Sequence, residues 1–457
     1  YDGGNTWSTN NSINVEGYSG NISQGGIINP EGNIDPNNAF YTFFSQVHDG
    51  TTGTLGDDMF GSNKLTNTEL PDFNIGLLSS DSTFMRDMSD AFTITQQGVA
   101  WYAGSINEYV SGEPTYNGQL VIGKAEIIDG VMQYEEQLIS FLTPNDHFND
   151  IKIAFSPNGL TGYICVMSSS QGDPVPYTNY HPILIKTTDG GNTWSDPIHV
   201  QFGGVDGIES VKYYWSDEII TSIDYYGSGF NRDEVYYNLG YHCDLIVDGY
   251  GNPHITGIIT LATDEGWFPS EGTMATWHIY SNNGGSIWAG TALYDNIFFE
   301  GDLGGVTMYN RPNVASSLDG EAVFFSWLDT DLDGAEGNTN PNIFVVGYCP
   351  SLHIYTDVDN VTELSLHWFS AFYGSMTHYV FCEEYYNCEL PFVFSEFSIP
   401  GDPFSAVVYW YIDGYTLDRP VCSIGFEDVN EILTKFSVAQ NSPNPAFDIT
   451  SILVTTK

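Results

Sequence analysis

Positive charge is scarce in this 457-residue chain. Only 11 Lys and Arg stand against 58 Asp and Glu, giving a formal charge of −47. That balance excludes a nucleic-acid partner, because phosphates need a basic footprint, and it disfavours anionic membrane surfaces. Cations are the natural small partners. Charge of either sign is sparse, at 15% of residues, against a usual quarter or so. No apolar run approaches ~18 residues, so no transmembrane helix is expected. The six cysteines contain no Cys-x-x-Cys pair, which argues against a zinc ribbon. The ten His form neither His-x-x-x-His nor His-Glu-x-x-His, and the chain has no Gly-x-Ser-x-Gly elbow and no phosphate-binding loop. Helical periodicity nowhere persists beyond about three turns.

Aromatic and turn-forming residues are plentiful, with 30 Tyr, 28 Phe and 48 Gly. Short β-prone runs recur between Gly, Asn, Asp and Pro punctuation, among them Gly98–Ala103, Ile151–Phe155 and Ala322–Trp327. The stretches 155–163, 244–254 and 315–323 each read as strand, Gly-containing turn, strand. One phrase repeats. Residues 2–8 and 189–195 both read Asp-Gly-Gly-Asn-Thr-Trp-Ser, and 283–288 read Asn-Gly-Gly-Ser-Ile-Trp. The Gly residues supply positive φ for a tight hairpin turn, and the Asp carboxylate accepts backbone N–H groups across it. Trp7, Trp194 and Trp288 are then expected to return into apolar packing as buried anchors.

The repeated phrase resembles the Asp-box, or BNR repeat, of sialidase-like β-propellers, whose pattern is Ser/Thr-x-Asp-x-Gly-x-Thr-Trp. Thr187, Asp189, Gly191, Thr193 and Trp194 match it throughout. Asp2, Gly4, Thr6 and Trp7 match in the first copy. Ser281, Gly285 and Trp288 match in the third, where Asn283 replaces the Asp and Ile287 the Thr. The resemblance implies an all-β propeller of four-stranded antiparallel blades, with each box on an outer hairpin away from any active site. Trp7 and Trp194 lie 187 residues apart, and Trp194 and Trp288 lie 94 apart. With blades of about 40–50 residues, the shorter gap would hold two blades and the longer four. Seven blades are expected over residues 1–425, with six and eight as alternatives.

After a linker at 426–434, residues 435–457 resemble the start of a type IX secretion sorting domain. The signature is Gln440-Asn441-Ser442-Pro443-Asn444-Pro445, leading into the strand-like Ile449–Val454. The resemblance implies export to the extracellular space or outer surface of a diderm bacterium. The sorting domain would be truncated here. The chain opens at Tyr1 inside a turn phrase and is expected to be part of a longer precursor. An extended Ile449–Val454 could add to a sheet edge of a neighbouring subunit, building a filament, or fold back on its own propeller.

Sialidases clamp a carboxylate with three Arg, because guanidinium forks match carboxylates. This chain has four Arg in all, Arg86, Arg232, Arg311 and Arg419, and lacks the family's Phe/Tyr-Arg-Ile-Pro motif. Arg311 precedes Pro312 at a strand start, where it is expected to cover a blade surface. No triad is identifiable, so no catalytic residue is assigned and sialidase activity is not expected. Glu383-Glu384 and Asp217-Glu218 read as solvated loop charges, and His254 and His278 as residues packed on strands. The sharpest candidate site is Asp329-Thr330-Asp331-Leu332-Asp333-Gly334. Alternating Asp329, Asp331 and Asp333 on a tight turn could converge on calcium. The twelfth position, Asn340, departs from a helical calcium loop, and an acidic hairpin is the other reading. Cys382 and Cys388 either form a local bridge in an oxidising compartment or pack as small hydrophobes. Two functions fit: a non-catalytic secreted or surface protein acting in adhesion, glycan binding or assembly, and a secreted glycoside hydrolase.

Overall fold

The computed structural model describes residues 22–418, less 30–32, 49–54, 67–73, 79–83, 111–112, 144–147, 149, 170–179, 205–206, 224–228, 264–265, 301–308, 384–386, 400–401, 403–404 and 413, together with Phe436–Val438 and Val454–Thr456. Consecutive hairpins build a series of small antiparallel sheets. Sheet I takes Ile22–Ile28, Phe40–His48, Leu55–Lys64 and Asn74–Leu78. Sheet II takes Phe84–Ile94, Val99–Val110, Glu113–Ile128 and Val131–Ser140. Sheet III takes Asp150–Phe155, Gly162–Ser168, His181–Thr187 and Ile198–His199. Sheet IV takes Tyr236–Val247, Pro253–Thr263, Met274–Tyr280 and Ala289–Tyr294, with Gly266–Trp267 beside its second strand. Sheet V takes Asn313–Ser317, Val323–Asp329 and Asn342–Cys349, with Ile354–Tyr355 and Asp359–Asn360 on its outer side. On its inner side Asn313–Ser317 pairs in parallel with Tyr379–Cys382, which continues into Asn387–Glu389 and Thr416–Asp418. Phe372–Met376, Phe392–Phe397 and Val407–Ile412 form a separate three-stranded sheet VI.

The first strand of each sheet packs beside the first strand of the next, from sheet I through sheet VI. This places the first strands around a common axis and the fourth strands outside, the arrangement of a β-propeller. The core is divided among the interfaces between sheets. Ile28, Phe44, Tyr102 and Met132 fill the gap between sheets I and II. Trp101, Phe155, Ile164 and Ile183 fill that between II and III. Tyr163, Leu245 and Trp277 lie between III and IV. Ile246, Trp327, Phe344 and Tyr348 lie between IV and V. Phe324, Phe372, Phe392 and Phe394 join V to VI.

The blade count differs from the seven expected. Among the described residues there are five sheets of at least four strands plus the three-stranded sheet VI. The sheets begin at Ile22, Phe84, Asp150, Tyr236 and Asn313, farther apart than the assumed period. Trp194 and Trp288 follow the third strands of adjacent sheets, so their separation spans one blade and not two. The extra length lies in strands of up to 16 residues in sheet II. It also lies in the connection from sheet III to IV, which carries the helical turns Glu209–Lys212, Asp217–Ser222 and Arg232–Glu234.

The turn chemistry matches its sequence. In the turn after His181–Thr187, the Thr187 hydroxyl donates to Asp189 Oδ1 at 2.8 Å and accepts from Gly191 N at 2.9 Å. Asp189 accepts from Thr193 N and from Thr193 Oγ1 at 2.9 and 2.7 Å. The turn after Met274–Tyr280 repeats this with Ser281 and Asn283, whose Oδ1 accepts from Ile287 N at 2.8 Å. Both lie in the hairpin between a sheet's third and outermost strands, as expected. Trp194 and Trp288 are half-buried, not fully buried, because each caps the outer rim of an interface. The first copy of the phrase, with Trp7, lies outside the described residues. Cys382 and Cys388 are cross-strand partners joined by a disulfide, while Cys165, Cys243 and Cys349 are buried thiols. In the tail, Phe436–Val438 pairs antiparallel with Val454–Thr456. The expected linker at 426–434 and most of Ile449–Val454 lie outside the described residues.

Candidate ligand site in the central cavity

The turns joining first and second strands meet at one end of the axis. Gln97 Nε2 of sheet II donates to Pro157 O of sheet III at 2.8 Å. Gly249 N of sheet IV donates to Gly320 O of sheet V at 2.9 Å. Gln96 Nε2 of sheet II reaches Leu318 O of sheet V. These cross-links draw that end together. Above them is a cavity of about 560 Å³, within the range of small-molecule sites. It is lined by the first strands of sheets I to V and by the 375–379 segment.

Two buried carboxylates tie neighbouring first strands around this cavity. Asp150 of sheet III accepts from Cys243 N of sheet IV at 3.0 Å, and its other oxygen lies 3.3 Å from Lys152 Nζ. Asp244 of sheet IV accepts from Val314 N of sheet V at 2.8 Å and from Leu245 N at 2.9 Å. His378 Nε2 stands 3.9 Å from Asp244 Oδ2. Both Asp residues are more than nine-tenths buried. Each carboxylate therefore satisfies an inner-strand N–H that would otherwise be costly to bury.

Arg311 lies in the cavity lining immediately before Pro312. Its φ is 42°, a left-handed conformation costly for a non-Gly residue and further disfavoured before proline. Its guanidinium lies 5.5 Å from the centre of the Tyr373 ring, a cation–π distance. This corrects the expectation that Arg311 covers a blade surface. Tyr379 donates toward Phe155 O at 3.4 Å, and burial pushes its phenol up to about 12. It therefore stays a neutral hydroxyl at ordinary pH. His242, exposed on the lining, meets Tyr309 edge-on at 5.5 Å. The wall thus combines N–H donors, a phenol, hydroxyls and the Asp244 carboxylate.

The other nominated groups are elsewhere. Arg232 binds Asp217 at 2.6 Å and the carbonyls of Lys212 and Trp215, an anchor for the helical connection. Arg86 belongs to Phe84–Ile94, and Arg419 lies outside the described residues. Arg311 is the one Arg lining the cavity among the described residues. His254 and His278 are fully buried on strands of sheet IV, 2.8 Å apart. Asp248 lies beyond His254 at 3.2 Å, and Tyr355 beyond His278 at 2.8 Å.

Asp329, Asp331 and Asp333 stand in different surroundings. Asp329 is buried and accepts from Ile297 N at 2.8 Å and Phe298 N at 3.1 Å. Burial raises its carboxyl to about 7 despite those bonds. Asp331 is exposed and accepts from Asn342 Nδ2 at 2.6 Å, and Asp333 is exposed. No group of three or more His, Cys, Asp or Glu is arranged to hold a metal ion among the described residues. No helix among them is long and apolar enough to cross a membrane.

No protein-family model matches the chain, and no curated protein matches it. Its fold is similar to several solved structures. One is a polysaccharide lyase described as a PL25 ulvan lyase, at 10% identity and a TM-score of 0.44, covering 94% of this chain and 88% of the other. The polysaccharide lyase Uly1 is similar at 12% identity and 0.42, covering 87% and 77%. A mutant of NanB sialidase from Streptococcus pneumoniae is similar at 6% identity and 0.43, covering 88% and 70%. At these identities no site residue carries over to this chain.

Proposed function

We propose that this is a secreted or cell-surface, non-catalytic glycan-binding propeller whose central cavity takes a neutral saccharide unit. The cavity itself carries the reading. It is sugar-sized, and its lining mixes donors and acceptors that suit hydroxyl groups, each of which both gives and takes a hydrogen bond. Lys152 is balanced by Asp150 at 3.3 Å, and Arg311 shares the lining with Asp244, while the −47 charge of the whole chain opposes an anionic ligand. A hydrolase would need two carboxylates facing one glycosidic bond. Asp150 and Asp244 are instead engaged with backbone N–H groups of neighbouring strands, which favours binding over catalysis.

The test is titration calorimetry against cello-, malto-, xylo-, manno- and chito-oligosaccharides. Binding lost in Arg311→Ala, with the melting temperature retained, supports the reading. No binding to any of them, or unchanged affinity in Arg311→Ala, overturns it. New reducing ends on incubation would move the assignment to the glycoside hydrolase.

The finer parts of the reading have their own tests. The Thr187–Ser195 turn is read as an Asp-box, and residues 435–457 as a type IX sorting signal that directs export. Calcium is proposed at Asp329, Asp331 and Asp333. Self-association through Ile449–Val454 predicts that truncation after Glu431 leaves a monomer while the full chain assembles. Identical monomeric sedimentation of the two would end that proposal.

A further inference from the structure

Sheet VI holds a second surface that the central cavity does not account for. Its three strands bring Ser375, Val393 and Tyr411 side by side, since Ser375 is the register partner of Val393 and Val393 of Tyr411. Side chains directly opposite one another in antiparallel strands stand on the same face. Val393 is 44% exposed and Tyr411 40%, so both side chains reach the surface. Together with Pro391, Thr377 and the buried Met376, these residues bound a shallow recess of about 360 Å³.

The recess adjoins the central site. Ser375 and Thr377 line both it and the cavity that holds Arg311, His378 and Tyr379. The two spaces differ in chemistry. The cavity presents ionised and hydrogen-bonding groups, whereas the recess presents the Tyr411 ring, a proline and a branched aliphatic side chain, with Ser375 and Thr377 as the residues it shares with the cavity. A pyranose ring matches such a shelf. Its axial C–H groups form an apolar face that lies on the electron-rich face of an aromatic ring, while its hydroxyls project from the edge toward Ser375 and Thr377. Tyrosine suits this role, because a rigid amphipathic ring loses little conformational freedom on binding.

We propose that the Tyr411–Val393–Pro391 shelf is a second saccharide subsite, which takes the unit adjoining the one in the central cavity. The protein then reads an oligosaccharide of two or more units, running from the cavity over Ser375 and Thr377 onto Tyr411. This rests on the reading of the cavity as a glycan site and adds chain-length selectivity to it. Linking two adjoining contacts in one ligand raises affinity because the second is made intramolecularly.

The experiment is calorimetry of the full chain with each of the five sugar series, from one to six units, for wild type, Tyr411→Ala, Tyr411→Phe and Arg311→Ala. In the series that binds, wild-type affinity should rise between one and three units. Tyr411→Ala should remove roughly three- to tenfold of that gain and leave monosaccharide affinity unchanged. Tyr411→Phe should keep the gain, since stacking needs the ring alone. Arg311→Ala should weaken every length. If length makes no difference and Tyr411→Ala matches wild type while Arg311→Ala loses binding, the shelf proposal fails and the cavity reading stands. If no sugar binds the wild type, both fail. If Tyr411→Ala abolishes concentration-dependent sedimentation while sugar affinity stays at the wild-type value, the shelf is a contact between copies and the proposal is overturned.

Discussion

Gly191 and Gly285 occupy the same place in two copies of one turn, and they should respond differently to the same substitution. Both have positive φ, 81° and 96°, so alanine at either forces a left-handed residue at roughly 1–2 kcal/mol. The surroundings differ. A Cβ on Gly285 would sit 3.5 Å from Ile198 Cδ1, ordinary contact. A Cβ on Gly191 would sit 2.2 Å from Trp101 Cη2, well inside contact distance. Trp101 cannot easily withdraw. It is 2% exposed, stacks on Phe155 at 4.8 Å, and has Lys124 Nζ 5.8 Å from its ring. Overpacking of this kind adds about 1–3 kcal/mol. The expected destabilisation is therefore about 1–2 kcal/mol for Gly285→Ala and about 2–5 kcal/mol for Gly191→Ala. Gly191 O also accepts from Gln137 Nε2 at 2.7 Å, so the larger loss reports contact between sheets II and III. Urea unfolding followed by tryptophan fluorescence measures both values. Equal losses in the two variants would refute the claim that the turn after His181–Thr187 locks one sheet to the next.

Removing the disulfide with Cys382→Ser/Cys388→Ser should cost about 2 kcal/mol by loop-closure entropy, read in the same urea assay, and an unchanged midpoint would count against it. Acid should destabilise the fold through His278, which burial first, and then His254 and His353, hold well below the ordinary His range. As pH falls below about 6.5 the unfolded chain takes up a proton there and the folded chain does not, so stability is greatest above that pH and declines beneath it. His278→Gln should flatten this decline, and an unaltered slope between pH 7 and 5 would contradict it. For calcium, a ligating Asp329, Asp331 and Asp333 set predicts that chelation lowers the melting temperature and that Asp331→Ala abolishes the effect. A curve indifferent to chelator removes the proposal.

The architecture was legible because its signals are local. The Thr187–Trp194 phrase spells out its own hydrogen bonds, and Asp189 and Asn283 lie in the outer hairpins it predicted. The turns at 156–161, 248–252 and 317–322 were likewise readable, since Ser156, Asp248 and Ser317 each begin a turn bonded within a few residues. The blade count was less legible. A period taken from Trp spacing assumes equal connections, and the segment between His199 and Tyr236 carries three helical turns. Asp329 shows a different limit. Its alternation with Asp331 and Asp333 looks like a ligand set, but a carboxylate ending a buried strand is equally useful as an acceptor for Ile297 and Phe298 N–H. Spacing alone does not distinguish the two uses.

The cavity was illegible for a geometric reason. Each first strand gives it only a few residues, and those residues come from segments tens of positions apart: Lys152, His242, Arg311 and His378 share no motif. What brings them together is the ring, and Asp150 and Asp244 help to hold it by bonding from one first strand to the next. The usable signal was scarcity. With 11 basic residues in 457, a lysine inside the apolar run Ile151-Lys152-Ile153 calls for a partner, and Asp150 supplies it at 3.3 Å. Arg311 before Pro312 calls for one too, and the Tyr373 ring lies 5.5 Å from its guanidinium. In an acidic propeller the rare cations are therefore the residues to trace toward the axis. The two that arrive there mark the cavity more directly than any of the 58 carboxylates could.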